Sequence, residues 1–140
     1  MKRIAIQTQS APAPLGHYSQ GIVVEGGRTL YISGQLPIEP STGLLVSQPD
    51  IALQAEQVLD NVAAVLAAAF MTFDHLVRVG IYLADTEHFA IINSLYAKRF
   101  AKVPPARTTI AVARFRLPIL IEMDGIAVSD TELPSVEPVQ

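Results

Sequence analysis

The segment HLVRVGIYLAD, residues 75–85, has the two-residue alternation of a β-strand, and the elements around it decide the fold. The aliphatic side of this strand consists of Val77, Val79, Ile81 and Leu83, and the other side of Arg78, Gly80 and Tyr82. A strand with one aliphatic side packs that side against another layer of structure.

A helix is predicted on each side of this strand. The first opens at Pro49 and Asp50, and its apolar stripe, with spacings of three and four, is Ile51, Ala55, Val58, Val62, Leu66 and Phe70. The second is capped by Asp85 or Thr86 and is stopped by the prolines of VPP, 103–105. Its stripe is Phe89, Ile92, Tyr96 and Phe100.

Further strands are predicted at both ends of the chain. The segment IVVEGGRTLYIS, 22–33, is typical of a hairpin that turns at Gly26 and Gly27, and Lys2 to Gln7 form a less regular strand. One late strand starts near Arg107, and the last one, ILIEMDGIAV, follows Pro118. This order predicts an α+β fold in which two helices cover one face of a mixed sheet. Its other face is shielded either by self-association or by curling of the sheet, and the sequence leaves both open.

Length and composition favour one domain. The chain has 140 residues, of which 50% are hydrophobic and 16% charged. We expect a single domain over residues 1–128, followed by an acidic, proline-containing and flexible tail over 129–140.

The charge and cysteine counts exclude several classes of function. A net charge of -3 gives no basic surface for nucleic acid, and the absence of cysteine excludes disulfides, thiol catalysis and thiolate metal sites. His17, His75 and His88 have no metal-ligand spacing, so no metal is expected. No segment has a signal-peptide core or membrane-spanning length, which predicts a cytoplasmic protein without a membrane partner.

Three polar residues interrupt apolar patterns near the C-terminal end. Arg107 and Thr109 share one side of their strand, and Glu122 interrupts the aliphatic run ILIEM, 119–123. If the two strands form a hairpin around RFRLP, 114–118, Glu122 lies near the level of Arg107. The pair is then either part of a site or a simple cross-strand ion pair worth about 0.2–1 kcal/mol.

Two other residues have both a structural and a functional interpretation. Asn93 lies in the apolar stripe of the second helix, where it either caps free backbone groups of a strand or lines a site. Tyr18, in GHYSQG at 16–21, is either packing in a loop or a ligand contact. Ser33 lacks an evident histidine base, which argues against a serine nucleophile.

Six segments together resemble the reactive-intermediate deaminase (Rid, or YjgF-type) family over approximately residues 4–128. They are GHYSQG, YISGQLPIEPSTG, QAEQVLDNV, NSLYAKRF, PPARTT and IEMDGIAV. The resemblance implies a chorismate-mutase-like α+β fold that assembles as a homotrimer with clefts between neighbouring subunits. It also implies a cofactor-independent 2-iminobutanoate/2-iminopropanoate deaminase, which hydrolyses enamines and imines such as 2-aminoacrylate and 2-aminocrotonate to 2-keto acids and ammonia.

The resemblance also assigns roles to residues. Arg107 matches the family's carboxylate-binding arginine, and Glu122 matches its water-positioning glutamate. The other matches are Tyr18, Asn93 and the segment that begins with Ser33 and Gly34, all expected to bind substrate. Thr109 replaces a frequent cysteine and keeps a polar group near the expected water. His17 replaces a frequent proline and adds a titrating group at the mouth of the cleft.

Two other functions remain open. The same cleft could bind a keto acid or an amino acid as a signal, with the trimer docking on a partner protein. Ribonuclease activity or translation inhibition is attached to some relatives, but the acidic balance and the absence of a basic aromatic stripe argue against it.

Overall fold

The computed structural model describes residues 1–46, 50–115 and 118–132, and within these ranges it has eight β-strands and two α-helices. The strands are β1 (Lys2–Ile6), β2 (Gly21–Glu25), β3 (Arg28–Gln35), β4 (Ile38–Glu39), β5 (Leu44–Leu45), β6 (Leu76–Leu83), β7 (Ala106–Ala111) and β8 (Ile121–Ser129). The helices are α1 (Ile51–Ala68) and α2 (Phe89–Ala97), and short 3₁₀ turns precede β6 and α2. This is the predicted α+β fold with a mixed sheet and two helices.

The main sheet has the order β3-β8-β6-β7. β8 is antiparallel to both β3 and β6, whereas β7 is parallel to β6. The parallel pair requires a crossover connection, and α2 provides it. β1 and β2 form a separate antiparallel ribbon, and a single bridge between Ser19 and Ala106 connects its entry loop to the edge strand β7.

Both helices lie on one face of the sheet, as predicted. The core combines residues from α1, α2 and alternate positions of the strands, among them Val58, Val62, Leu66, Ile92, Tyr96, Val79, Ile81, Met123 and Ala127. The predicted alternation of the strand at 75–85 is therefore confirmed for Val79, Ile81 and Leu83. On the opposite face, Tyr31 is 75% exposed and Ile110 is 48% exposed, so this face is uncovered in one chain.

The predicted hairpin at Gly26 and Gly27 is wrong in its pairing. Both glycines have positive φ, 78° and 88°, and join two strands as a turn would. However, β2 pairs with β1, and β3 pairs with β8. β8 is largely buried along its length and offers β3 a partner inside the main sheet, whereas β2 stays half-exposed.

The predicted hairpin of the last two strands is also wrong. β6 lies between β7 and β8, because α2 returns the chain parallel to β6 on the side away from β8. Arg116 and Leu117, in the segment predicted to turn, lie outside the described residues.

The helix ends differ slightly from the sequence prediction. The Asp50 carboxylate accepts a hydrogen bond from the Leu53 amide at 3.1 Å and caps α1 as predicted; Pro49 lies outside the described residues. α1 ends at Ala68, so Phe70, which is 52% exposed with φ of 57°, is not part of its stripe. Before α2, Asp85 caps the 3₁₀ turn through the Glu87 amide.

α1 is long and apolar enough to cross a membrane by length and composition alone, with a mean hydropathy of 1.2 over 18 residues. One such helix is weak evidence for a membrane span, because the core helix of a soluble protein meets the same criterion. In the fold, Val58, Val62 and Leu66 of α1 are fully buried in the core, so packing against the sheet accounts for its apolar face.

The C-terminal strand extends through the residue at which the predicted tail begins. Ser129 is fully buried and pairs with Arg28 across β3 and β8. Arg28 also donates hydrogen bonds to the carbonyl and hydroxyl oxygens of Thr131. The rest of the predicted tail, residues 133–140, lies outside the described residues.

A buried glutamine fixes the entry to β8. Gln54 of α1 is fully buried; its amide nitrogen donates to the Pro118 carbonyl at 3.1 Å, and its amide oxygen accepts from the Leu120 backbone at 2.8 Å. These bonds set the position of the strand that carries Glu122.

We expect Gln54→Leu to lower the free energy of unfolding by about 1–3 kcal/mol, because it leaves two buried backbone groups without partners. Urea unfolding measures the loss. The control Gln57→Leu removes a part-buried hydrogen bond to the Asn61 side chain but leaves no buried backbone group without a partner, and should cost about 0.5–1 kcal/mol. Equal losses for the two variants would contradict this account.

Candidate active site

Arg107 lies at the second position of the edge strand β7, on the face that the helices cover. It is in register with Val79 of the core, and residues in register across a sheet share a face. Its Nη2 donates a hydrogen bond of 2.7 Å to Oδ1 of Asn93 in α2. Asn93 therefore binds the guanidinium, and among the described residues its side chain caps no strand backbone.

Aromatic rings surround this guanidinium. Its central carbon lies 4.9 Å from the ring centre of Tyr96, 5.5 Å from that of Tyr18 and 6.0 Å from that of Phe89. These distances allow cation–π attraction, which holds a planar cation without neutralising it.

The loop that carries Tyr18 is fixed to the start of β7. The Ser19 amide donates to the Pro105 carbonyl at 3.0 Å, and the Ser19 hydroxyl bonds to the Pro104 carbonyl. A Cβ atom added to Gly16 would lie 3.1 Å from Nη2 of Arg107, so a glycine here lets the loop close over the guanidinium. Tyr18 also accepts a hydrogen bond from the Leu15 amide through its hydroxyl.

No carboxylate within the described residues pairs with Arg107. Its Nη1 is fully buried and has no hydrogen-bond partner among those residues. Burial lowers the pKa of Arg107 from its ordinary value, and the nearby Tyr96 and Tyr18 oppose that effect, but an arginine stays charged at any physiological pH. A half-buried cation whose partners are all neutral keeps its charge available for an anionic ligand.

Thr109 points to the same face of β7 as Arg107, as the alternation predicts. Its hydroxyl oxygen is also buried without a partner among the described residues. The arginine and the threonine thus present unused polar atoms to one region.

Glu122, Ser33 and Gly34 form a second group on the uncovered face of the sheet. Ser33 and Gly34 lie in a β-bulge between the Ile32–Gly125 and Gln35–Met123 pairs. The Glu122 carboxylate lies directly against Gly34, where an added Cβ would overlap it. A bulge changes the direction of side chains locally, and here it opens the space that Glu122 occupies.

The next carboxylate on this face is already bound. The Tyr82 hydroxyl donates to Asp124 at 2.9 Å, and this bond is the main reason that the pKa of Tyr82 is raised. Gly80 leaves room for this pair, because a Cβ there would overlap Asp124. Glu122 is therefore distinguished from Asp124 by having no hydrogen-bond partner among the described residues.

The two groups do not meet within one chain, contrary to the prediction that Arg107 and Glu122 are neighbours. Glu122 is in register with Tyr82, whereas Arg107 is in register with Val79, three residues away and on the opposite face. β6 also separates their strands, by about 10 Å at the usual strand spacing. A cross-strand ion pair between them is excluded for the same reason.

The sequence prediction missed two residues of the arginine site. Tyr96 and Phe89 were assigned only to the apolar stripe of α2, yet both rings contact Arg107. They lie three residues after and four before Asn93, so the three side chains share one helix face. Their spacing around Asn93 is the sequence feature that indicates contact of both rings with the site.

Two grooves, of about 390 and 300 Å³, border the predicted site residues Gly34 and Tyr18, respectively. The described residues contain no group of three His, Asp or Glu side chains that could hold a metal ion. A groove of about 520 Å³ is lined by the loop at 7–20 and includes none of the predicted site residues.

A family model and related proteins match this chain over most of its length. Residues 8–129 match the family model described as endoribonuclease L-PSP. Protein DfrA of Myxococcus xanthus is 43% identical over 129 residues, which cover 92% of this chain and 98% of that protein.

Solved structures show the same fold. A protein of the conserved Rid family from Yersinia pestis matches with a TM-score of 0.83 and 30% identity, covering 92% of this chain and all of that one. TdcF of Escherichia coli, solved with bound serine, matches with a TM-score of 0.67 and 33% identity, covering 90% and 98% of the two chains.

The position of His17 predicts how stability depends on pH. Burial, and then the charge of Arg107, lower the pKa of His17 below its ordinary 6.5. The unfolded chain therefore binds a proton at a higher pH than the folded chain does, so this residue reduces stability as the pH falls below about 6.5. We expect His17→Phe to flatten that decline.

Urea unfolding at intervals between about pH 5 and 8 checks this expectation. The variant should match the native protein above the ordinary histidine range and lose less stability below it. Parallel curves over the whole range would show that His17 is not perturbed.

Proposed function

Because this chain belongs to the Rid (YjgF) family, we propose that it is a cofactor-independent deaminase. It hydrolyses reactive 2-imino and 2-enamine acids, of the 2-aminoacrylate and 2-aminocrotonate class, to 2-keto acids and ammonia. The observation that carries this proposal is the guanidinium of Arg107, which is half-buried, held by Asn93 and aromatic rings, and without a carboxylate among the described residues.

Arg107 binds the substrate carboxylate in this mechanism. Asn93 and the ring of Tyr18 fix the guanidinium plane, and the buried Nη1 has a hydrogen to donate. Charge-assisted hydrogen bonds of this kind are worth about 1.5–3 kcal/mol each. The bound serine of TdcF supports this assignment, since serine is a small molecule with a carboxylate next to a substituted carbon.

Glu122 acts on water in the chemical step. With the Thr109 hydroxyl, it orients a water molecule and takes a proton from it as the oxygen attacks the imine carbon. The C=N bond becomes a C–N single bond as Glu122 passes this proton to the nitrogen, which gives a carbinolamine. The hydroxyl of the carbinolamine then gives up its proton to the nitrogen as the carbonyl forms, the C–N bond breaks, and ammonia leaves. One water is consumed, and no oxidant or cofactor is needed.

Arg107 and Glu122 can act together only if they come from different chains. They lie on opposite faces of one sheet, so we place the catalytic cleft between neighbouring protomers of a homotrimer. The uncovered face, with the exposed Tyr31 and Ile110, supports self-association on the side that carries Ser33, Gly34 and Glu122.

Two alternatives use the same fold differently. A binding module for amino or keto acids needs Arg107 but has no use for a carboxylate that positions water, so Glu122 discriminates between the two. An RNA-cleaving activity, which the name of the family model suggests, needs a basic surface, and the net charge of -3 does not favour one.

We expect Arg107→Lys to lower kcat/KM for imine hydrolysis by about 10- to 100-fold, because lysine keeps the charge but loses the planar donors. The measurement is a coupled assay in which an amino-acid oxidase generates imines and keto acid release is followed. Arg99→Lys, at the guanidinium that pairs with Glu56 and Asp60, is the matched control and should keep full activity. Full activity of Arg107→Lys would refute the proposal.

We expect Glu122→Gln to reduce kcat by about 100-fold or more while the affinity for a carboxylate ligand stays unchanged, because only water activation is lost. Single-turnover kinetics and calorimetry separate the two effects. Asp124→Asn changes a carboxylate two residues along the same face and serves as the control.

Gly34→Ala tests the same role independently. Its methyl group displaces the Glu122 carboxylate, so turnover should fall in a protein that still folds. Unchanged turnover in both Glu122→Gln and Gly34→Ala would refute the role of Glu122, whereas a native protein that binds carboxylate ligands without turnover would favour the binding module.

A further inference from the structure

Four buried side-chain atoms have no hydrogen-bond partner within residues 1–46, 50–115 and 118–132, and all four belong to one neighbourhood. They are His17 Nε2, Tyr96 Oη, Arg107 Nη1 and Thr109 Oγ1. Buried polar groups are nearly always paired, so each exception needs an explanation. Four exceptions around one guanidinium indicate a ligand that carries several polar groups.

The proposed function uses only two of these atoms. Arg107 Nη1 binds the carboxylate, and Thr109 Oγ1 contacts the water. Tyr96 remains a neutral donor, because burial raises the pKa of its phenol well above the ordinary value, with Arg107 opposing the effect. His17 Nε2 has no assigned partner.

The structure holds the His17 ring by packing. Its ring centre lies 6.2 Å from that of Tyr96, at 77°, and 6.1 Å from that of Phe100. The adjoining residues are fixed by the bonds from Ser19 to the prolines before β7. The imidazole is thus held against Tyr96, whose ring also contacts Arg107, and its Nε2 is buried.

The neutral imidazole is the form that suits this position. Burial and the Arg107 charge both oppose a second cation here. A neutral imidazole protonated on Nδ1 offers Nε2 as a hydrogen-bond acceptor. Arg107 has no acceptor atom, so a ligand donor next to the carboxylate needs an acceptor from elsewhere.

We propose that His17 is a specificity-determining residue whose Nε2 accepts a hydrogen bond from the nitrogen on the carbon next to the ligand carboxylate. The inference rests on the proposed function, since it places the carboxylate on Arg107. The site then prefers 2-amino and 2-imino acids, which carry N–H donors at this carbon, over acids that carry none.

Calorimetry with two stable probes tests the inference. L-2-aminobutyrate and butyrate share the carboxylate and the carbon chain, but only the first has N–H donors at C2. The native protein should bind 2-aminobutyrate more tightly. His17→Phe keeps a ring against Tyr96 and Phe100 and removes both nitrogens, so the ratio of the two affinities should fall about tenfold, with butyrate affinity within about twofold.

His17→Gln supplies a second variant, because its amide oxygen keeps an acceptor and should retain part of the preference. His75→Gln, at the turn before β6, is the control and should bind as the native protein does. If His17→Phe does not fold, as judged by thermal unfolding, His17→Leu gives the same test.

The outcomes separate this inference from the proposed function. If Arg107→Lys weakens binding of both probes while His17→Phe keeps the affinity ratio, the role of His17 is refuted and the carboxylate site stands. If Arg107→Lys changes neither affinity, the carboxylate site itself is refuted, and this inference fails with it. A native protein without any preference for 2-aminobutyrate also overturns the inference.

Discussion

The arrangement around Arg107 depends on one interaction, the hydrogen bond from its guanidinium to Asn93. This bond uses a neutral amide, so it orients the cation without cancelling its charge. The rings of Tyr18, Phe89 and Tyr96 act in the same way. A carboxylate in any of these positions would have formed a buried ion pair and left no charge for a ligand. The choice of neutral partners is what makes this arginine available for binding.

Much of this environment could be predicted from the sequence. The alternation at 75–85 and the apolar stripes of the helices gave the sheet and its helical layer, because burial imposes these periods on the sequence directly. Arg107 and Asn93 were recognisable because a charge and an amide interrupted apolar patterns. The hydrogen bond between them could not be predicted, because it requires α2 to pass beside β7, and local sequence patterns do not specify that packing.

Strand pairing was the part that could not be predicted. β7 and β8 follow one another in sequence, and only a short segment separates them, so a hairpin was the simple expectation. The sheet instead inserts β6 between them, since β6 and β8 are both apolar enough to occupy its centre while β7 carries polar residues that suit an edge. Similarly, the bulge at Ser33 and Gly34 was invisible, because a bulge is defined by the register with a partner strand.

The insertion of β6 has a genetic consequence. In the proposed trimer, each cleft takes its arginine from one polypeptide and its glutamate from the next. A substitution of Arg107 and a substitution of Glu122 therefore damage opposite halves of a cleft. A trimer that contains both kinds of defective polypeptide has one cleft in which Arg107 and Glu122 are both native. Two inactive alleles expressed together would then complement each other, whereas two alleles that damage Arg107 and Asn93 would not.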